Sequence, residues 1–327
     1  MTSYIKNANC FSEFKNIRNH SIDFVCVDLP YGQTACEWDT CIDLKVMWVE
    51  LKRIIKQGAY IAFFCTTKFG NTLINSNPKW FRYDLVWEKS HKVGFLNSNK
   101  MPLRAHEMIY IFRTDTTVDT DLTRNTELKA YAQKIKKYIN KPIKTIRDES
   151  KINIQKFYCN GKGFGLITKT QYEQLTSLYK LNEMKDYKDY EHIEAMYEPP
   201  IKIYNPQKTK GKPYPSRSDS YRTKVYGKTT GYHSENKGDR HPTSIVKFSN
   251  PAGKAIHNTQ KPVPLLEWLI KTYSNENDMV LDFTMGSGST IIAAINTKRR
   301  YIGIEMNNEI FTIAENRINE ILNSNNI

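Results

Sequence analysis

Four successive residues, Asp28-Leu29-Pro30-Tyr31, follow the apolar run Phe24 to Val27, so a carboxylate and a carbonyl stand where a buried strand would give way to a loop. Together they form two hydrogen-bond acceptors on one side. Such a pair suits the exocyclic amine of a heteroaromatic ring, a poor nucleophile because its lone pair is conjugated; drawing the amino hydrogens out of plane returns the pair to nitrogen. Pro30 fixes φ and removes a donor, which stiffens the turn. Tyr31 offers a face on which a base flipped out of a duplex could stack. Alone, Asp28 and Pro30 read better as an ordinary strand end, and Tyr31 as a core aromatic.

A second acidic strand end changes the balance. Val280-Leu281-Asp282 runs into Phe283-Thr284-Met285-Gly286-Ser287-Gly288-Ser289 and then an apolar helix pattern, the sequence form of a ligand-binding βα turn. Gly286 and Gly288 would let backbone approach a ligand closely. Glu305 closes the following strand, at the distance where a carboxylate can accept from ribose hydroxyls, although a carboxylate at a helix start is the commoner reason for an acid there. No third glycine completes a GxGxxG turn, which favours a smaller adenosyl ligand over a dinucleotide.

These residues need a sheet to bring them together. Phe24 to Asp28, Tyr60 to Cys65, Tyr83 to Trp87 and Met108 to Phe112 are continuous apolar runs, the pattern of strands covered on both faces. Leu44, Met47, Trp48, Leu51 and Ile55 recur at helical spacing between the first two, giving the strand–helix–strand order of a parallel α/β layer. The pattern resumes after Lys261. Pro262 and Pro264 start a helix with Leu265, Leu266, Leu269, Ile270 and Tyr273 on one face; Met279 to Asp282 is a strand, Ser289 to Asn296 a helix, Tyr301 to Glu305 a strand, and Phe311, Ala314, Ile318 and Ile321 stripe a last helix.

Between these halves the character changes. Residues 114–247 carry +10 of the chain's net charge of +14, include a Gly-rich turn from Gly161 to Gly165 and end in a polar stretch from Pro199 to Pro242 expected to form loops. Leu175, Leu178, Tyr179, Asn182 and Met184 suggest one helix there. Ten Lys or Arg stand against two acids from Lys129 to Lys162, and eight against one from Lys202 to Lys228. Tyr204, Tyr214, Tyr221, Tyr226 and Tyr232 accompany the second run. Basic residues neutralise phosphates and planar ones stack or wedge, so this region reads as a lobe for nucleic acid, with Arg217, Arg222 and Arg240 as candidate guanine contacts. A lysine-rich solvated surface is the plainer alternative. The expected division is 1–113 and 248–327 for one catalytic domain, with 114–247 inserted as the target-recognition region.

Cys10, Cys26, Cys36, Cys41, Cys65 and Cys159 include no CxxC pair and no histidine at zinc-ligand spacing, so they read as reduced thiols, with neither metal site nor disulfide framework. The start MTSYIKNANC lacks an apolar signal core and no run reaches the length of a bilayer span, so a cytoplasmic protein with no membrane partner is expected.

Asp28-Leu29-Pro30-Tyr31 with Asp282-Phe283-Thr284-Met285-Gly286-Ser287-Gly288-Ser289 resembles the β group of DNA amino-methyltransferases, which modify adenine N6 or cytosine N4. The group's His/Thr/Gln/Lys/Pro segment is matched by His257-Asn258-Thr259-Gln260-Lys261-Pro262, and the likeness covers residues 1–113 and about 240–323. It implies a circularly permuted, S-adenosylmethionine-dependent Rossmann-like α/β sheet with an inserted target-recognition lobe, in which Tyr4-Ile5 is the third strand. It also implies that Asp28, Leu29, Pro30 and Tyr31 hold the target base. Asp28, Asp282, Phe283, Gly286, Ser287, Gly288 and Ser289 would face the methyl donor, Glu305 and Met306 its ribose and adenine, and Thr259, Gln260 and Lys261 its methionine end. Lys261 would there be counterion to a carboxylate. Leu29 stands where members often carry Pro, and Phe283 where Pro commonly follows the Asp. Asp at position 28 inclines the reading to adenine N6. Double-stranded DNA is the implied partner, in a bacterial or phage setting; a second copy of the chain and a cognate restriction endonuclease are compatible further partners.

Three classes compete at this point. A DNA methyltransferase is favoured by motif order and the basic insert. An RNA or protein-glutamine methyltransferase meets the same conjugated-nitrogen chemistry. A non-catalytic DNA-binding protein or nicotinamide oxidoreductase would keep the sheet, but Asp28 with Tyr31 counts against the first and the missing glycine against the second.

Overall fold

The computed structural model describes residues 2–30, 42–114, 125–160, 163–197, 203–218, 222–223, 227–228, 232–250 and 260–324. The first compact unit spans Met1–Asp115 and Ile203–Ile327. Its elements begin with β1 (Tyr4–Asn7), α1 (Cys10–Phe14), β2 (Ile22–Asp28), α2 (Leu44–Ile54), β3 (Ile55–Cys65), α3 (Thr67–Ser76), β4 (Phe81–Val93) and β5 (Arg104–Arg113). The second unit, Thr116–Lys202, contributes α4 (Thr126–Ile139), α5 (Ile143–Ser150), α6 (Lys169–Tyr179) and α7 (Tyr190–Ala195). The chain then returns to the first unit through short strands β6 (Thr209–Lys210), β7 (Tyr214–Ser218), β8 (Arg222–Thr223), β9 (Gly227–Lys228), β10 (Tyr232–Asn236) and β11 (Asp239–Arg240). It closes with β12 (Ile245–Phe248), α8 (Val263–Tyr273), β13 (Met279–Asp282), α9 (Ser289–Asn296), β14 (Arg300–Glu305) and α10 (Asn308–Ser324).

Eight strands form one sheet in the order β1-β14-β13-β2-β3-β5-β4-β12. All neighbours are parallel except around β5, which is antiparallel to both β3 and β4 because a hairpin over residues 94–103 reverses the chain where no helical crossover intervenes. Counting outward from β13, β1 is the third strand, so the first strand of the chain lies beside the last, as a circular permutation requires.

The continuous apolar runs are explained by cover on both faces. Val25, Val27, Ile61, Phe63 and Phe112 pack with Phe14, Met47, Trp48, Leu51 and Leu73 from α1 to α3, while Phe24, Cys26, Ala62, Phe64 and Ile111 pack with Leu265, Leu266, Leu269, Ile270 and Tyr273 of α8. Each fully buried Leu, Ile or Phe contributes roughly 1.5–3 kcal/mol relative to exposure. Asp43 fixes the start of α2 by accepting from the backbone N–H groups of Lys45 and Val46, and Thr66 does the same for α3 through Phe69.

The second unit has its own core of Leu128, Ala132, Ile135, Ile146, Phe157, Tyr172, Leu175 and Ile193. Its helix over Leu175 stops at Tyr179, because Lys180 takes a left-handed conformation at φ 50°, and Leu181–Glu183 is a separate 3-10 turn. This unit ends at Lys202, whereas the sequence placed the whole of 114–247 in the insert. The physical reason is β12, which pairs in parallel with β4 and is tied by Trp87 Nε1 donating to the Phe248 carbonyl at 2.8 Å. The segment expected as loops also contains three two-stranded ladders, β10-β7, β11-β6 and β8-β9. Among the described residues no helix is long and apolar enough to cross a membrane.

Candidate active site

In a parallel sheet all carboxyl ends meet at one edge, and ligands bind where crossovers diverge from that edge. Asp28 ends β2, Asp282 ends the adjacent β13, and Glu305 ends β14. The two motif loops touch directly: Thr284 Oγ1 donates to the Asp28 carbonyl at 3.0 Å, while the Thr284 N–H donates to Asp282 Oδ1 at 3.1 Å. Thr284, which no motif singles out, is thus the pin between them.

Glu305 is fixed rather than free to swing. Its Oε2 accepts from Gly286 N at 3.0 Å and its Oε1 from Asn307 N at 2.8 Å, leaving further lone pairs on each oxygen. Gly286 and Gly288 both hold positive φ, at 49° and 80°, which is the conformational reason for glycine at these two places. Arg317 of α10 donates to the Ser287 carbonyl and so holds the turn from outside. Asp282 is 3% exposed. Burial pushes its carboxyl up to about 7, with Asp28 and Glu305 adding to the rise against hydrogen bonds from Thr290 and Thr284.

Asp28, Asp282, Thr284, Gly286 and Glu305 line a cavity of about 410 Å³, together with Leu29, Pro30, Gln260, Lys261, Phe283, Ser287, Ser289 and Met306, whereas Gly288 is not part of its lining. That is within the usual size of small-molecule sites. Two lining atoms are buried without a hydrogen-bond partner among the described residues, Gln260 Oε1 and Ser289 Oγ. Unspent buried polar atoms are costly unless a ligand meets them. With the carboxylates and the glycine turn they make a donor set suited to a polar nucleoside-sized ligand. Phe283 lines the cavity but packs its ring edge-on against Phe14 at 5.2 Å.

Lys261 pairs with Asp28 and lies 3.2 Å from Glu107 Oε1, over the Phe64 ring at 5.2 Å. Lys89 pairs with Glu107 at 2.7 Å. Burial alone would raise the Glu107 carboxyl, yet Lys261 and Lys89 hold it below the ordinary range. Glu107 and Lys89 were absent from the sequence reading. Glu107 reaches the site only because β5 runs backward: Met108 pairs with Cys65 at the tip of β3, so the start of β5, not its end, lies at the active edge. Burial pushes the thiols of Cys26 and Cys65 up, and both are free and buried in the two strands beneath the site.

Tyr31 and Thr259 lie outside the described residues, as do His257 and Asn258, and nothing structural is assigned to them. The side chains of Arg217 and Arg222 are likewise outside the description. Arg240 has its guanidinium over the Tyr214 ring at 4.6 Å and donates to the Lys212 carbonyl.

Fold and site define a doubly covered, mainly parallel α/β protein with a nucleoside-sized pocket between two acidic strand tips. The chain belongs to the N6/N4 DNA methylase family, whose model matches residues 22–316. Among curated relatives, type II methyltransferase M.HindIII of Haemophilus influenzae is 45% identical over 65 residues, 20% of this chain and 21% of that protein. Type II methyltransferase M.HinfI, also of Haemophilus influenzae, is 40% identical over 79 residues, 24% and 22% of the two. The matched stretch therefore spans only about a fifth of the length of these relatives. Among solved structures, the M1.HpyAVI–SAM complex is 16% identical with a TM-score of 0.49, covering 96% of this chain and 98% of that one. The PvuII DNA methyltransferase, titled cytosine-N4-specific, is 12% identical with a TM-score of 0.49, covering 99% and 92%.

Proposed function

We propose that the chain transfers a methyl group from S-adenosylmethionine to the exocyclic amine of a DNA base, adenine N6 in the first instance. The observation that carries this reading is the direct bond from Thr284 to the Asp28 carbonyl, which sets the candidate amine-binding tip against the candidate donor-binding turn at one sheet edge. The donor supplies a methyl carbon activated by a sulfonium. Glu305, Gln260 and Ser289 bind and orient the donor through acceptor and hydroxyl positions not spent on the protein, and the Gly286–Gly288 turn allows backbone to approach it. The Asp28 carboxylate and Leu29 carbonyl accept the two amino hydrogens, localising the nitrogen lone pair for attack on the methyl carbon. Asp28 would take one amine proton and pass it to water as the nitrogen accepts the methyl group, the electron pair of the broken carbon–sulfur bond staying with the donor. Pro30 keeps the acceptor turn rigid, and Tyr31 stacks on the flipped base.

Asp at position 28 and the family resemblance favour adenine. Duplex DNA is the partner, with target recognition assigned to residues 114–247, and a second copy of the chain and a cognate restriction endonuclease are compatible with that setting. The test is transfer of labelled methyl groups to DNA, followed by digestion to nucleosides: N6-methyl-2′-deoxyadenosine is expected, and N4-methyl-2′-deoxycytidine in its place would overturn the choice of base. Asp28→Ala should lower transfer by at least about 10³-fold while donor affinity changes by less than about threefold. Equal transfer by that variant would remove Asp28 from its role.

A further inference from the structure

Resting on that reading, we infer that Glu107 is a positioning residue, a second seat for the Lys261 ammonium that uncovers Asp28 when the target amine arrives. Lys89, Glu107, Lys261 and Asp28 form a line of alternating charge, two positive and two negative, with side chains only 15%, 13%, 11% and 26% exposed. Charges so far from water persist only when paired. The pairing here is uneven. Lys261 directs a hydrogen bond to Asp28, whereas Glu107 Oε1, 3.2 Å away, is buried with no aligned hydrogen bond among the described residues. The ammonium is near enough to neutralise that oxygen but is not aligned to it.

A buried carboxylate oxygen with an unspent acceptor, beside an ammonium bonded elsewhere, gives that ammonium two nearly equivalent positions. The Asp28 carboxylate, if it is to accept amine hydrogens, must give up the lysine on the face it presents. Glu107 makes this cheap, because Nζ need only turn toward Oε1 and every charge in the line remains paired. Lys89 acts oppositely: by bonding the other Glu107 oxygen at 2.7 Å it competes for the carboxylate and limits its pull on Lys261. The ammonium stands over the Phe64 ring at 5.2 Å, a face that favours a cation there.

The expected result is a split by sign. Glu107→Gln should lower kcat by about tenfold or more with donor affinity within about twofold, Glu107→Asp should recover part of the loss, and Lys89→Met should raise kcat by up to about threefold. If Glu107→Gln keeps kcat within about twofold of the parent, or if Lys89→Met loses kcat alongside it with the same fall in Tm, the line is structural and the inference is overturned. A crystal structure of the Asp28→Asn variant without ligands decides independently of activity. Lys261 Nζ should there have left the side chain of position 28 and donate an aligned hydrogen bond to Glu107 Oε1, closer than the 3.2 Å of the parent; Nζ still directed at the side chain of position 28, with Glu107 Oε1 unengaged, overturns it. Failure of the parent to methylate any DNA would instead strike the proposed function, and this structural readout would still stand.

Discussion

Asp282 couples the pocket to pH. Its carboxyl is pushed up to about 7 in the folded chain from an ordinary value of 3.8, so between roughly pH 4 and 7 the folded state holds a proton that the unfolded state has released. Proton binding that favours the folded state makes stability fall as pH rises through that window, by at most about 4 kcal/mol for a shift of this size. Asp282→Asn removes the titration while keeping an oxygen for the Thr284 N–H. Thermal melts at pH 5 and pH 8 should show a smaller fall in Tm for this variant than for the parent; parallel Tm–pH curves would show that Asp282 does not titrate there. Glu107 has the opposite character. Its carboxyl is held low by two lysines, so its stabilising contribution is present above the unfolded value and is lost only as pH falls below it.

At the scale of elements, the turn from β13 into α9 is the part most exposed to failure. A Cβ at Gly288 would stand 3.1 Å from Ile318 Cδ1 and 3.3 Å from Ala314 Cβ, with φ already at 80°. Gly288→Ala should therefore cost about 1–3 kcal/mol and weaken donor binding, measured by denaturant melts and calorimetry together. Stability within 0.5 kcal/mol, roughly the spread of neutral surface changes, would show that α10 yields without cost. How much of this was legible follows from the same elements. The strand ends at Asp28, Asp282 and Glu305 could be read because each closes an apolar run, and the two-sided cover of β2 and β3 was implicit in runs with no polar alternation. Glu107 could not be read, because its place depends on the reversal of β5, a property of the hairpin at residues 94–103 and not of its neighbours in sequence. Arg317 interrupts the polar side of a helix striped by Ala314 and Ile318 and resembles any surface arginine until α10 is docked. β12 is four residues just beyond the polar stretch that ends at Pro242, too short for a periodic signal of its own.

Across the whole molecule, the basic excess is not where the compact insert is. Residues 116–202 carry 16 Lys and Arg against 12 acids, whereas residues 203–247 carry 10 against 3, so the shorter segment holds +7 and the longer only +4. The segment with the higher density belongs to the same compact unit as the catalytic tips. Binding to a duplex by neutralising phosphates releases counterions, and log K falls with log salt at a slope near 0.9 for each phosphate contact. If the 203–247 segment supplies those contacts, changing exposed Lys208, Lys212 and Lys237 together to Gln should reduce the magnitude of that slope by about 2 to 3. The same number of changes in the second unit, at exposed Lys137, Lys144 and Lys151, should reduce it by less than about 1. Fluorescence anisotropy of a labelled duplex across a salt series measures both variants against the parent. A larger loss from the second set would move the electrostatic footprint to the compact insert and leave β6 to β11 with some other task. Because phosphate contacts carry orientation and little sequence information, neither set should change which sites are methylated.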